Sequence, residues 1–287
     1  MRRRRIFYFF YELFSSFEGT VGFVILCLLV FCAIFAPLIA PYNPYDITQR
    51  GRRLQPPSKR HIMGTDWYGA DIFSQIVYGT RTSLTVGALT ALGVTVVGGL
   101  LGVVAATFGK GIDALIMRTV DFVMVLPGLP IMVMILTYLG SSFWTLVFVL
   151  VIFGWAGVSR VVRAIVLSEK KRGYVEAAFC AGASKWYIIR KHLLPASYPV
   201  LAVNAAFSAA GAMLAEAGLS FLGFSDPRVV SWGKMLSLAR TCNALVLGAW
   251  WWIVFPGLAI FLASFSIMSL GVASERILNP KISNRRE

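Results

Sequence analysis

Charged residues are scarce in this sequence, and acidic residues are the scarcest of them. Only 14% of the 287 residues are charged, with 13 acidic against 27 basic side chains, whereas 57% are hydrophobic. Soluble globular proteins average about 25% charged residues. The composition therefore excludes an ordinary soluble domain and predicts an all-α integral membrane protein.

Residues that build catalytic and metal sites are also few. The sequence has two histidines, His61 and His192, which the topology predicted below puts on opposite sides of the membrane, and its four cysteines form no CxxC pair. Neither HExxH nor GxSxG occurs, and the stretch GVVAATFGKG lacks the spacing and the hydroxyl of a phosphate loop. We expect no catalytic residue, no metal site and no bound cofactor in this chain, which cannot hydrolyse ATP alone.

Long uncharged runs take the place of these groups. A helix needs roughly 20 apolar residues to cross a bilayer. Five runs qualify, and the third divides at TYLGSS, so the sequence predicts six membrane spans from Val21–Ala40, Thr82–Phe108, Phe122–Ser159, Leu193–Ala215 and Thr241–Ser274.

The distribution of Lys and Arg predicts the orientation. With both termini in the cytoplasm, 18 of the 27 basic residues lie on the inside. The N-terminal MRRRR before an apolar run also resembles a signal peptide, but the run is long and ends in APLIAPYNP, which favours an uncleaved first helix. Because the charges border the spans, they argue against nucleic-acid binding.

The predicted parts are a cytoplasmic tail (1–18), a first span (19–40), an extracytoplasmic segment (41–80), a five-span core (81–272) with a cytoplasmic loop (160–197), and a cytoplasmic tail (273–287).

Several local features refine this topology. In the extracytoplasmic segment, four aromatic residues predict a short interfacial helix: Trp67, Tyr68, Phe73 and Tyr78. Gly98 and Gly102 form a GxxxG pair that favours close helix packing, and the spacing of Arg118 and Asp121 predicts an ion pair.

Prolines and one buried acid are the candidates for a transport pathway. Prolines break helices, so kinks are expected in the spans that contain Pro127, Pro130 and Pro256. Glu216 is the one acid deep in an apolar context, where ionisable residues are usually functional. Alternatively, Glu216 is structural: near the outer end of its span it caps a helix or pairs with Arg228 or Lys234.

A basic, glycine-broken stretch lies between the fourth and fifth spans. It reads YVEAAFCAGASKWYIIRKHLLP, from Tyr174 to Pro195. Glu176, Ala177 and Ala178 favour a helix, Gly182 allows a positive φ that ends it, and SKWYIIRKH predicts a second helix. Its small residues leave room for another protein to approach closely.

This stretch resembles the EAA loop of binding-protein-dependent ABC importer permeases. The shared pattern is EAA, three residues, Gly182, nine residues, His192, then Leu194 and Pro195. The stretches His61–Leu84 and Ala215–Leu236 look like the C-type permeases of dipeptide, oligopeptide and nickel importers, in which His192 is also typical. Ala196 and Ala70 depart from that branch, where asparagine and arginine are common.

The resemblance implies a type I importer (MetI-like) fold in a prokaryotic cell membrane. The coupling helix that docks on an ATPase would contain Glu176, Ala177, Ala178, Gly182 and Ala183. The implied partners are a B-type permease, two ATPases that bind ATP and Mg, and a solute-binding protein, for which Asp66, Arg228 and Trp232 are candidate contacts. The substrate would be a peptide, a nickel complex or an oligosaccharide.

Two other functions remain open from the sequence. An ion-coupled secondary transporter or channel would use buried charges and inverted repeats, and a scaffold subunit would have no pathway of its own. Dependence of transport on a partner ATPase separates the first from an importer, and labelling of cysteines placed along the pathway separates the second.

Overall fold

Helices make up nearly all the regular structure of this protein. The computed structural model describes residue 14 and residues 16–278, and in that part no β-strand occurs beyond one isolated bridge between Thr65 and Asp71. The helices are α1 (Phe17–Ile34), α2 (Ala36–Ile39), α3 (Ile72–Thr107), α4 (Lys110–Val125), α5 (Gly128–Leu139), α6 (Phe143–Lys170), α7 (Gly173–Cys180), α8 (Lys185–Ile188), α9 (Leu194–Phe221), α10 (Trp232–Thr241) and α11 (Trp251–Leu278). The predicted tails, 1–18 and 273–287, fall mostly outside the described residues.

Five helices are long and apolar enough to cross a membrane. They are α1, α3, α6, the continuous helical stretch that ends in α9, and α11. Helices α4 and α5 qualify together as a sixth span, although they bend by 87° at the break between them. The predicted break at TYLGSS is confirmed, since α5 ends at Leu139 and Ser142 caps the N-terminus of α6. An all-α membrane fold with six candidate spans is thus confirmed.

The bend between α4 and α5 occurs at a proline. Pro127 occupies the N-cap position of α5, and Pro130 lies in its first turn, where a proline is tolerated because that N–H has no helical partner. Pro256, in contrast, lies inside the unbroken helix α11. The prediction of broken geometry is therefore confirmed at Pro127.

Helix α3 is the centre of the packing. Its two glycines at GxxxG spacing face α6 so closely that an added Cβ would lie 2.6 Å from a backbone oxygen: Trp155 O for Gly98, and Ser159 O for Gly102. Helix α9 packs on α3 and α11, and α1 packs on α11. The packing predicted for the glycine pair is confirmed.

Two local predictions were wrong. The aromatic residues from Trp67 to Tyr78 form no separate interfacial helix, because α3 already begins at Ile72, where Asp71 caps it by accepting from Ser74 N at 2.8 Å. The only other helical element between residues 41 and 80 is a 3-10 helix, Ile47–Gln49. Asp121 does not pair with Arg118 on its own helix, since it accepts a hydrogen bond from Arg160 of α6. Asp113 likewise pairs with Arg163 of α6, at 2.5 Å and 2.6 Å. These ion pairs fasten α4 to α6.

Candidate functional site

The loop between α6 and α9 forms the helix–turn–helix that its sequence predicts. Helix α7 ends at Cys180, and Gly182 follows with φ +78°. Ala183 N donates to Ala178 O at 3.1 Å and so closes the helix end. Ser184 then caps α8 by accepting from Tyr187 N. We call residues 173–193 the docking loop and the end of the bundle that carries it the loop end.

The docking loop has one buried face and one exposed face. Its buried side chains belong to a core cluster shared with α3 and α6: Val175, Ile188, Ile189 and Leu193. Glu176, Ala177 and Gly182 are exposed, Ala178 and Ala183 are half-buried, and four aromatic side chains are also exposed: Tyr174, Phe179, Trp186 and Tyr187. A low, partly aromatic surface is suited to burial against another protein.

Glu169 at the end of α6 holds the loop in place. Its side chain is almost fully buried, accepts a hydrogen bond from the Tyr174 hydroxyl, and pairs with Arg172 at 2.9 Å. The hydrogen bond to this carboxylate raises the pKa of Tyr174, so the hydroxyl keeps its proton. The sequence does not predict this contact, because the two residues are on opposite sides of the helix break between α6 and α7 and so have no helical spacing.

The last three motif residues lie where the docking loop continues into α9. His192 lies between the rings of Tyr174 and Tyr187, with centroids at 5.5 Å and 6.0 Å. It belongs to a π-helical segment, Ile189–Leu193, that runs into α9. Leu194 and Pro195 are the first residues of α9. Short π segments often occur at functional positions, and this one connects the loop to a membrane helix without a break.

Glu216 lies near the far end of α9 and is 3% exposed. Its Oε1 accepts hydrogen bonds from Ser220 and Ser231, both at 2.8 Å. The expected alternative pairing with Arg228 or Lys234 is wrong: Arg228 pairs with Asp226, and Lys234 donates to backbone oxygens of residues 226, 227 and 229. Glu216 thus joins α9 to the residue that caps α10.

Of the three candidate contacts for a binding protein, two are buried. Trp232 is fully buried and donates its indole N–H to Ile76 O, and Asp66 accepts from Gln75 and from two backbone amides. A direct contact between either side chain and a partner does not fit this burial. Arg228 has an exposed side chain and remains a candidate.

Asp226 organises the loop that contains Arg228. It accepts hydrogen bonds from the Arg228 guanidinium and from Phe143 N at the start of α6. The bond from Arg228 is the main reason that the pKa of Asp226 falls to about 2. Burial lowers the pKa of nearby Lys234.

Among the described residues, no group of three or more His, Cys, Asp or Glu side chains lies close enough together to hold a metal ion.

Comparisons with known proteins match almost the whole chain to the family that the docking loop resembles. Residues 98–284 match the family described as binding-protein-dependent transport system inner membrane component, and residues 19–57 match the N-terminal TM domain of oligopeptide transport permease C. A peptide permease protein of Brucella suis is 36% identical over 261 residues, which cover 91% of this chain and 86% of the relative. A dipeptide transport system permease protein of Alkalihalophilus pseudofirmus is 34% identical over 276 residues, or 96% and 90% of the two chains. The chain belongs to the family of binding-protein-dependent transport system inner membrane components and is a permease subunit of an ABC importer.

Proposed function

We propose that this subunit is the C-type half of an importer that moves peptides into a prokaryotic cell. The curated relatives are named for peptide and dipeptide transport, which supports this substrate class over nickel complexes and oligosaccharides. The second half of the pathway would come from a related B-type permease. Two ATPases, which bind ATP and Mg, and an extracytoplasmic solute-binding protein would complete the assembly, and this chain would itself bind no cofactor.

In this proposal the loop end faces the cytoplasm. The charge asymmetry of the sequence supports that orientation, because Lys and Arg concentrate in cytoplasmic loops. Ten of the cations that the structure describes lie between Lys110 and Lys191, in α4, in the second half of α6 and the turn after it, and in the docking loop. The N- and C-terminal tails, which we expect in the cytoplasm as well, lie outside the described residues for most of their length.

The observation that carries the proposal is the division of the docking loop into two faces. Val175, Ile188 and Leu193 fix it to the bundle, while Glu176 and Ala177 remain exposed at the surface. Since small side chains allow close approach, the exposed face would fit into a groove on an ATPase. Movement of that ATPase would then reach α6 through Glu169 and Tyr174, and α9 through the π segment.

Closure of the ATPases on ATP would turn the pathway from inward-facing to outward-facing. Such a change requires two discrete packings whose balance ligands shift. The bent pair of α4 and α5 is a suitable moving part, because its bend divides it into two segments. The two ion pairs between α4 and α6 would make α4 move together with α6. Unchanged transport after Pro127→Ala and Pro130→Ala would show that the bend contributes nothing to this change.

Purification of the tagged subunit in mild detergent, followed by mass spectrometry of every associated chain, tests the proposal. An importer predicts an ATPase and a second permease in the same particle, and ATP-dependent uptake of peptide after reconstitution with the binding protein. Uptake without an ATPase, driven by an ion gradient, would instead support the secondary transporter.

A further inference from the structure

A strongly basic surface lies at the end of the bundle opposite the docking loop. Within residues 50–60, which we call the basic segment, all five cations are exposed: Arg50, Arg52, Arg53, Lys59 and Arg60. This segment contains no acid. It runs against the expected charge asymmetry, because cations are usually depleted in extracytoplasmic loops.

The acids near the basic segment do not neutralise it. Asp66 and Asp71 point inward, with 3% and 4% exposure, and bind Gln75 and His61. The carboxylate of Asp46 accepts hydrogen bonds from Thr48 and Gln49 of its own turn. The cations therefore dominate the exposed charge of this segment.

The basic segment has a fixed backbone. Gly51 N donates to Gly69 O at 2.8 Å, Leu54 N donates to Asp66 O at 3.0 Å, and the Thr65 hydroxyl donates to Arg52 O at 2.7 Å. Two of the arginines lie over aromatic rings, Arg50 over Tyr68 at 5.9 Å and Arg53 over Trp67 at 5.7 Å. Cations held in this way lose less conformational freedom when they bind a partner.

The position of the segment favours a partner in water over lipid headgroups. Arg81 of α3 donates to Ala33 O and Ile34 O at the end of α1, and a charged side chain at this depth marks the edge of the apolar layer. The part of α3 before Arg81, residues 72–80, extends the helix by roughly 13 Å beyond that edge. The headgroup layer beyond that edge is about 5 to 8 Å thick, so the start of α3 lies on the water side of the headgroups.

A cleft of about 440 Å³ adjoins the basic segment. Its lining includes Arg50, Tyr68 and Tyr45 on one side and Arg228 on the other. Both tyrosines are about half exposed. Arginine and tyrosine are among the residues that contribute most often to protein–protein binding energy.

We propose that the basic segment, together with Arg228, is a docking surface for an acidic patch on the solute-binding protein. The inference rests on the proposed function, since it assumes that such a partner approaches this end of the bundle. Electrostatic attraction would act mainly on the association rate, and the tyrosines of the cleft would supply the apolar contact. The single charge sign of the basic segment would also discourage association between copies of the same end.

Binding of the purified binding protein to the complete importer in lipid nanodiscs tests the surface. We expect the association rate to fall as salt is added, and to fall by about tenfold in the double variant Arg52→Glu, Arg53→Glu. The matched control, Lys110→Glu with Arg118→Glu, changes the net charge equally at the loop end and should bind as the wild type does. The result should be the same in zwitterionic and anionic nanodiscs.

Lys59 allows a direct check, because a carbodiimide joins a lysine amine to a carboxylate that touches it. We expect a cross-link from Lys59 to Asp or Glu of the binding protein. Lys59→Arg should abolish that cross-link and leave the association rate unchanged, since it keeps the charge and removes the amine.

The outcomes distinguish a wrong docking surface from a wrong proposed function. A wild-type importer that binds its binding protein with a rate insensitive to salt and to the double reversal would overturn the docking surface alone. An effect of the reversal seen only in anionic nanodiscs would overturn it in favour of lipid binding. Failure of the wild-type complex to bind any solute-binding protein would overturn the proposed function as well.

Discussion

The Ser231 hydroxyl donates to Glu216 Oε1 at 2.8 Å and also accepts from Lys234 N, so a single serine both caps α10 and fixes it to α9. Ser220, one turn along α9 from Glu216, donates to the same oxygen. Next to this contact, an added Cβ on Gly233 would lie 2.7 Å from Ala217 Cα. The acid therefore lies inside a tight junction between two helices.

Replacement of Glu216 separates a structural role from a role in the pathway. Glu216→Ala leaves two hydroxyls in the junction without their acceptor, which should lower the free energy of unfolding by about 1 to 3 kcal/mol. Glu216→Gln keeps a carbonyl acceptor and should lower the free energy of unfolding by a smaller amount. Thermal unfolding of the purified complex measures both, and peptide uptake is assayed alongside. If Glu216→Gln remained fully stable but lost transport, the carboxylate would have a role in the pathway.

Substitutions in the docking loop should uncouple ATP hydrolysis from transport. Gly182 has φ +78° and open space around it, so Gly182→Ala meets no neighbour but strains the backbone by about 1 kcal/mol. Gly182→Asp adds a charge, and Glu176→Arg reverses one on the exposed face. We expect all three proteins to insert normally, with transport reduced most in the two charge variants and ATP hydrolysis retained.

Gly173→Ala is the matched control for these variants. Gly173 begins α7, has no neighbour within 4 Å of an added Cβ, and does not have a positive φ. Its substitution should leave transport and hydrolysis coupled. Coupling at the wild-type level in Gly182→Asp and Glu176→Arg would count against ATPase docking by this loop.

The sequence predicted those features that depend on local patterns. Apolar runs located the spans, and the positive φ at Gly182 followed from a glycine at a helix end. Contacts between distant segments could not be predicted in this way. Asp121 pairs with Arg160, 39 positions away, because α4 lies against α6, and the spacing to Arg118 carried no information about that packing. The prediction that Trp232 contacts a binding protein was wrong for the same reason, since the burial of its side chain depends on α3.

The glycine pair of α3 should tolerate no side chain. An added Cβ would meet Trp155 O and Val158 Cβ at Gly98, and Ser159 O and Val162 Cβ at Gly102, all within 2.9 Å. Since the obstructing atoms include backbone, Gly98→Ala and Gly102→Ala should each destabilise the fold by about 1 to 3 kcal/mol. Gly157→Ala on α6 is the control, because no atom lies within 4 Å of that Cβ. Equal melting temperatures for the three variants in detergent would refute this view of the α3 and α6 contact.

The ion pair of Asp226 should make stability depend on pH in acid. The pKa of this carboxyl is about 2 in the folded chain, below its ordinary value of 3.8, because Arg228 and Phe143 N donate to it. A lowered folded pKa means that the carboxylate stabilises the fold fully above about pH 4, and that this contribution is lost as the pH falls toward 2. Because the Arg228 side chain is exposed and solvent screens the ion pair, this contribution to stability is only about 1 kcal/mol.

Thermal unfolding of wild type and Asp226→Asn between pH 6 and pH 2.5 isolates this group from the other carboxyls. The wild type should melt higher at pH 6, and the difference should shrink steadily below pH 4. Arg228→Gln removes the main donor, so the pKa of Asp226 rises toward its ordinary value and the acid-dependent loss of stability becomes smaller. A difference between wild type and Asp226→Asn that stays constant down to pH 2.5 would mean that the carboxyl is not held ionised by its neighbours in the folded protein.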